Sequence, residues 1–194
     1  SQESLCCRDS SKDMLANINV EGQPVPCIRF MGGREYEMIC SLTNCSSDQI
    51  VNDDDIKQII VDGVMALPSF SNGNGPYGKN RSEILGIPKN GAALATIYCA
   101  LMISCCLNKL NTQGDVIMDG SFLKNPILCR LVAQLCGKKN LYISNDEAGT
   151  VKGAAQLTQW SQLPILELEK CEPYNIEGLD LYVSSWFKAI GEIK

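Results

Sequence analysis

Apolar and polar positions change their rhythm several times along the chain. Residues 25–30, VPCIRF, have strand composition, and residues 34–40, REYEMIC, alternate polar with apolar as a half-exposed strand does. Gly32 and Gly33 interrupt this strand sequence, which predicts a bulge, a sharp bend or a place where a ligand meets the backbone closely. The first twenty residues are polar and read as irregular. In VNDDDIKQIIVDG, residues 51–63, Asn52 or Asp53 can cap a short helix whose first turn is acidic, and that placement accounts for the triplet Asp53-Asp54-Asp55. GVMALPSF, residues 63–70, reads as a strand. Residues 71–90 are dense in Gly, Pro and Asn and form a long loop: a lid, a binding loop, an inter-domain contact or a plain surface excursion. Residues 91–110 then form an apolar helix with no polar face, which must be covered on most sides.

The remainder alternates between strand and helix. DVIMDG is a strand, and NPILCRLVAQLCG is a helix with Asn125 as N-cap, Pro126 in its first turn and Gly137 past its end. Ile127, Leu128, Leu131, Val132 and Leu135 give it one apolar stripe. KNLYIS is a strand, DEAGTVKGAAQLTQW a helix, LPILELEK a strand, and LDLYVSSWFKAIGEI a closing amphipathic helix. This order implies an α/β fold with a parallel or mixed sheet flanked by helices.

Composition narrows the chemistry. The chain has 194 residues, 45% of them hydrophobic, and a formal charge of -5. That balance supports a buried core and offers no broad basic surface, so nucleic acid is not an expected partner. The N-terminal stretch has neither a basic nor an apolar signal region. The longest uncharged run, residues 90–108, carries Asn90, Thr96, Ser104 and Asn108 and reads as a buried helix of a soluble protein, not a membrane span. Eleven cysteines show no Cys-x-x-Cys spacing and histidine is absent, which argues against a structural metal and removes Ser-His and Cys-His nucleophile pairs. The cysteines read as reduced thiols in the cytoplasm, several of them acting as small core hydrophobes.

Ligands of such sheets sit at the carboxyl ends of strands, where loops and helix N-termini converge. Asp119-Gly120-Ser121 ends one predicted strand, and the helix that begins near Asn125 offers unpaired N–H groups and a positive dipole end. Gly120 lets a ligand approach the backbone, and Asn125 can cap the helix or hydrogen-bond a sugar or base. Taken alone, a glycine turn and an Asn-capped helix fit any strand-to-helix connection equally well. The chain lacks the spacing of the dinucleotide-binding Gly-x-Gly-x-x-Gly fingerprint.

The order of segments is more specific. MDGSFLKNPILCRLVAQLCGKKNLYIS followed by DEAGTVKGAAQL, and preceded by the helix GAALATIYCALMISCCLNKLN, resembles the C-terminal domain of the FGGY carbohydrate kinases, members of the actin-like ATPase superfamily. VEGQPVPCIRFMGGREYEMI is similar to a segment of one bacterial subgroup, and the resemblance spans most of residues 20–160. It implies an actin-like ATPase, ribonuclease H-like domain. It implies ATP and Mg2+ as cofactors and a sugar or polyol as phosphoryl acceptor. Gly120, Ser121 and Asn125 would face the adenosine part of ATP, and Gly32 and Gly33 would lie near its phosphates. Ser121 stands where many members have a second glycine, which crowds the backbone there. In the long loop, Pro68, Gly73 and Pro76 correspond to a Pro...Gly-Glu-Arg-x-Pro segment whose role does not carry over. Gly153-Ala154-Ala155 is expected to let its helix pack closely on the sheet.

The family's sugar-binding N-terminal domain, catalytic Asp and Gly-Thr phosphate hairpin have no counterpart upstream of Val20. Residues 1–194 therefore read as a single partial domain on the ATP side of a sugar kinase, inactive alone, with no catalytic residue of its own. Missing strands would leave an exposed edge that a homodimer could cover. The alternative is a non-catalytic nucleotide-sensing or interaction module of the same superfamily.

Overall fold

The computed structural model describes residues 13–71, 73–144, 149–158 and 167–192. Its backbone falls into two units, one formed by Ser1–Thr112 with Asn175–Lys194 and the other by Gln113–Tyr174.

The first unit begins with β1 (Met14–Ile18) and β2 (Pro24–Ile28), an antiparallel hairpin closed by Asn19, whose side chain accepts from the N–H groups of Glu21 and Gln23 at 3.1 and 2.8 Å. β1 lies in the stretch expected to be irregular. The segment REYEMIC is a correction of a different kind, because it is helix: α1 spans Gly32–Leu42. Gly32, Glu35, Ile39 and Cys40 are its buried positions, a helical spacing, and they pack along α3. The glycine pair thus opens a helix and interrupts no strand.

α2 (Asp53–Asp62) follows the expected rules closely. Asn52 accepts from the Asp55 N–H at 3.0 Å while the Asp55 carboxylate accepts from the Asn52 N–H at 3.0 Å, a capping box, and Gly63 ends the helix in the left-handed region. β3 (Met65–Leu67) pairs antiparallel with β4 (Glu83–Leu85), a strand inside the segment expected to be all loop. α3 (Gly91–Lys109) is long and apolar enough to cross a membrane, yet Gly91 through Met102, Cys105 and Cys106 are buried in the unit. Asn90 caps it by accepting from the N–H groups of Ala92 and Ala93. Gly91 is required by space: a Cβ there would stand 1.9 Å from Thr43 Oγ1 and 2.8 Å from Cys45 Cβ.

Between β3 and β4 the glycine-rich loop turns inward, with Phe70, Ser71 and Tyr77 buried. Carboxylates from distant parts of the chain hold it. Glu35 accepts from the Phe70 N–H, Asp13 from the Gly75 N–H at 2.9 Å, and Glu192 from the Tyr77 hydroxyl at 2.9 Å. Lys109 completes the last of these, 3.0 Å from Glu192 and 4.9 Å from the centre of the Tyr77 ring. Its first part, up to residue 78, is thus largely buried, whereas most of residues 79–89 lie at the surface as a plain excursion does.

Asp13 also receives Arg29 Nε and Nη2, both at 2.8 Å. The Arg29 hydrogen bonds, and after them the Gly75 N–H, hold its carboxyl below the ordinary carboxylate value. A depressed folded-state pKa stabilises above the unfolded value near ~4, and the gain is lost as pH falls through the folded value. Asp13→Asn is therefore expected to lower stability at pH 7 and to cost progressively less as pH falls below ~4, measured by urea unfolding across that range.

The second unit holds β5 (Val116–Met118), the 3-10 turn Ser121–Lys124, α4 (Pro126–Leu135), β6 (Leu141–Ser144), α5 (Gly149–Gln156) and β7 (Leu168–Cys171). β5 runs parallel to β6 and β6 antiparallel to β7, a mixed sheet as expected. Of the predicted stripe of α4, Leu128, Leu131 and Val132 are buried and Ile127 and Leu135 half-buried; Cys129 and Ala133 are buried as well, with Cys129 Sγ 3.4 Å from Met118 Sδ on β5. Gly153, Ala154 and Ala155 on α5 are exposed, and nothing lies within 4 Å of a Cβ built on Gly153. The expectation that they pack closely on the sheet fails.

α6 (Leu179–Ala189) returns to the first unit, where Tyr182 donates to the Val64 carbonyl and Trp186 Nε1 to the Ala66 carbonyl, both at 2.7 Å. The described cysteines are free thiols, and Cys40, Cys99, Cys105, Cys106, Cys129 and Cys171 are buried. Burial pushes the Cys40 and Cys106 thiols up to about 12, so at neutral pH they stay protonated and behave as small hydrophobes. Cys6 and Cys7 lie outside the described residues.

Candidate nucleotide site

Gly120, Ser121 and Asn125 stand together in the second unit, at the carboxyl end of β5. Gly120 has φ 88° and ψ −158°, a backbone region that is in practice reserved for glycine. Nothing lies within 4 Å of a Cβ built there, so the requirement comes from the backbone, and the space beside it is open to a ligand. Asp119 Oδ1 accepts from the Gly120 N–H at 2.7 Å and fixes the turn. Ser121, exposed, begins the 3-10 turn that lies between the glycine and the helix. The Leu123 N–H donates to the Gly120 carbonyl at 3.1 Å and the Asn125 N–H to the Phe122 carbonyl at 3.0 Å.

Asn125 is the N-cap of α4, as its sequence neighbours predict. Its carbonyl oxygen accepts from the Leu128 N–H at 3.1 Å and Pro126 follows in the first turn. The carbonyl oxygen serves the cap, and the amide nitrogen brings donor chemistry. The α4 N-terminus adds its dipole, positive toward the Gly120 turn.

Gly32 and Gly33 belong to the first unit, in the opening turn of α1. Gly32 is buried, and its carbonyl accepts from Cys99 Sγ at 3.7 Å. Gly33 is exposed with nothing within 4 Å of a Cβ built on it.

Three residues on, Glu35 was not marked by the sequence pattern. Its side chain is fully buried and accepts from the Phe70 N–H at 3.2 Å, the Ser71 hydroxyl at 2.6 Å and the Tyr98 hydroxyl. Burial, and next the Glu35 carboxylate, push the Tyr98 phenol well above its ordinary pKa, so the proton stays on the phenol. Read as a strand, Glu35 is an outward residue; read as a helix, it falls on the same face as Gly32 and Ile39, and an acid on an apolar helical face is the signal that marks it.

A cleft of about 240 Å³ lies beside the α2 N-terminus, bordered by Asp54, Asp55, Gln58, Lys89 and Asn90. Asp55 is used in the capping box and Asp54 pairs with Lys57 at 3.3 Å, so the acidic triplet is helix-start chemistry. Its charge also suits phosphate poorly.

The mixed sheet with flanking helices and the turn at its carboxyl end make an α/β domain, and the solved structures it matches are carbohydrate kinases of the actin-like ATPase fold. The sequence model described as "Carbohydrate kinase FGGY, C-terminal domain" matches residues 4–165, and the chain belongs to that family. Among solved structures, a carbohydrate kinase from Novosphingobium aromaticivorans is 27% identical with a TM-score of 0.80, over 94% of this chain and 40% of that one. A xylulose kinase from Rhodospirillum rubrum shares the fold at 12% identity and a TM-score of 0.64, over 95% of this chain and 43% of that one. No curated protein matches at a significant level. The chain thus spans about two fifths of the length of the solved kinases it resembles.

Proposed function

We propose that this chain is the ATP-side domain of a cytoplasmic carbohydrate kinase that transfers the ATP γ-phosphate to a sugar or polyol hydroxyl. The observation that carries the reading is the Gly120 to Asn125 turn: a glycine-only backbone beside open space, an Asn-capped helix N-terminus, and a family in which this turn meets the nucleotide. Gly120 and Ser121 would face the adenosine, and Asn125 would donate to it.

The open space beside Gly120 and the donor chemistry of Asn125 suit an adenosine. Kinase chemistry also implies Mg2+, which supplies charge neutralisation at the transferring phosphate. Among the described residues no group of three or more Cys, Asp or Glu converges to hold a metal. The ion would have to arrive on the nucleotide phosphates, as Mg2+ commonly does in kinases. Sugar choice, the catalytic base and the phosphate hairpin belong to the remainder of such an enzyme, so this chain alone is expected to be inactive.

Calorimetry with Mg-ATP tests the site. Asn125→Ala removes both the cap, a loss of about 1 kcal/mol, and the donor; Asn125→Asp keeps a capping oxygen, removes the donor and adds a negative charge beside the nucleotide. Both are expected to weaken ATP binding by about tenfold or more, the worth of one ligand hydrogen bond, while only the alanine variant lowers thermal stability. Binding unchanged by either substitution sinks the assignment. A sugar-dependent ATPase assay on the longer polypeptide then decides the activity, and nucleotide binding without turnover would instead favour a nucleotide-sensing module.

A further inference from the structure

The end of α1 brings two cysteines together by a rule of backbone geometry. The Asn44 N–H donates to the Ser41 carbonyl at 3.2 Å and the Cys45 N–H to the Cys40 carbonyl at 2.9 Å, while Asn44 takes the left-handed conformation at φ 53°. These bonds and that residue make a Schellman cap, in which the side chains at the two ends of the turn commonly meet. An apolar contact usually fills those positions; here both are cysteine.

The backbone bond sets the spacing. With the covalent reach from each Cα to the bonded nitrogen and oxygen added, the 2.9 Å bond keeps the two Cα atoms within about 6.8 Å, inside the range that a disulfide spans. The thiols also feel each other: burial, and after it the charge and hydrogen bond of Cys45, push the Cys40 thiol up to about 12. Their surroundings differ. Cys40 is 1% exposed, whereas Cys45 is half-buried, with Sγ 2.8 Å from Gln49 Oε1 and 3.4 Å from the Ser46 carbonyl. The first turn of α3 backs the motif, since a Cβ built on Gly91 would stand 2.8 Å from Cys45 Cβ. A reachable thiol beside a buried one suits a pair in which one sulfur meets the reagent and the other resolves the product.

We propose that Cys40 and Cys45 are an oxidisable dithiol, which a low-molecular-weight disulfide of the glutathione class converts to an intramolecular disulfide. The Cys45 thiolate attacks one sulfur of the small disulfide; the S–S bond breaks, one small thiol leaves, and a mixed disulfide forms at Cys45. That step removes the Cys45 charge facing Cys40, one of the causes that keep the Cys40 proton in place. Cys40 then gives its proton to water and attacks the Cys45 sulfur, which releases the second small thiol. Two protein thiols are oxidised and one small disulfide is reduced to two thiols, so no other oxidant is needed. In a reducing compartment such a link is transient, as befits a redox-sensing pair and not a structural staple. It stands independently of the nucleotide reading.

Oxidised glutathione added to the 194-residue chain at a pH near the ordinary thiol value, followed by alkylation and tryptic mass spectrometry, tests it. Trypsin cuts after Arg34 and Lys57, so both cysteines fall in one peptide, residues 35–57. In the wild type this peptide is expected to lose two hydrogen atoms and both alkylation sites, and to regain them with dithiothreitol. Cys40→Ala leaves Cys45 without its resolving thiol and should accumulate at least about tenfold more glutathione adduct on residues 35–57 than the wild type does. Cys45→Ser should leave Cys40 unmodified. The wild-type result does not depend on how well either variant folds. A wild-type peptide that keeps both thiols, or that stops at the mixed disulfide, overturns the proposal. So does a link from Cys40 to the buried Cys99, which would join residues 35–57 to residues 90–109, or a glutathione adduct on Cys40 in Cys45→Ser.

Discussion

Glu35→Ala is expected to lower the midpoint of thermal unfolding by roughly 10 °C, one of the two largest stability losses anticipated for any single change in this chain. The carboxylate is the common acceptor for the Phe70 N–H, the Ser71 hydroxyl and the Tyr98 hydroxyl, all in a buried setting. Removing an acceptor and leaving buried donors orphaned costs about 1–3 kcal/mol for each donor that cannot find a new partner. Ser71 has Ser69 and the Asn74 carbonyl in reach, at 3.3 and 3.4 Å, so two orphans remain and the total is about 3–4 kcal/mol. For a chain of this size each kcal/mol moves the midpoint by about 2–4 °C. Glu35→Gln keeps one acceptor oxygen and should lose roughly half as much. Melts followed by circular dichroism give the comparison, and a shift below about 3 °C for the alanine variant would mean that water replaces the carboxylate.

Trp186→Ala is the other large effect. The indole is fully buried, packs edge-to-face on Tyr77 and Phe187, and donates to the Ala66 carbonyl. Truncating a buried Trp costs about 3–5 kcal/mol in packing and cavity, and the orphaned carbonyl adds about 1 kcal/mol more. Trp186→Phe separates the two contributions, because it keeps most of the ring and loses the donor; a loss of about 1–2 kcal/mol is expected. Urea unfolding of both variants measures this. If Trp186→Phe matches the wild type, the hydrogen bond to β3 contributes nothing and α6 is held by packing alone.

How well the chain could be read in advance depended on whether the deciding interactions were local. α2, α3 and α4 carry their own caps in Asn52, Asn90 and Asn125, and their boundaries fall where those residues put them. β5, β6 and the α6 helix follow from short-range pattern in the same way. α1 does not, because REYEMIC alternates like a strand while the face that matters, Gly32, Glu35 and Ile39, has helical spacing and is selected by α3, some sixty residues downstream. β1 and β4 are short, and pairing across a hairpin or a long loop makes them strands where propensity alone does not. At the candidate site the glycine turn, the Asn cap and the proline were legible because each answers a local backbone need. The 3-10 turn between them was not, and neither were the carboxylates of Asp13, Glu35 and Glu192, whose loop partners lie 62, 35 and 115 residues away.

The way α6 is tied to β3 bears on the order in which the chain can mature during synthesis. The residues that contact Val64 and Ala66 are Tyr182 and Trp186, and the second unit, Gln113–Tyr174, lies between them in the chain. The ribosome therefore releases a complete second unit while the first still lacks its last helix. Until residues 179–189 emerge, two strand carbonyls and the Trp186 pocket stay open to water and to chaperones. The family match ends at residue 165, so a polypeptide trimmed to that boundary would remain permanently at this unfinished stage.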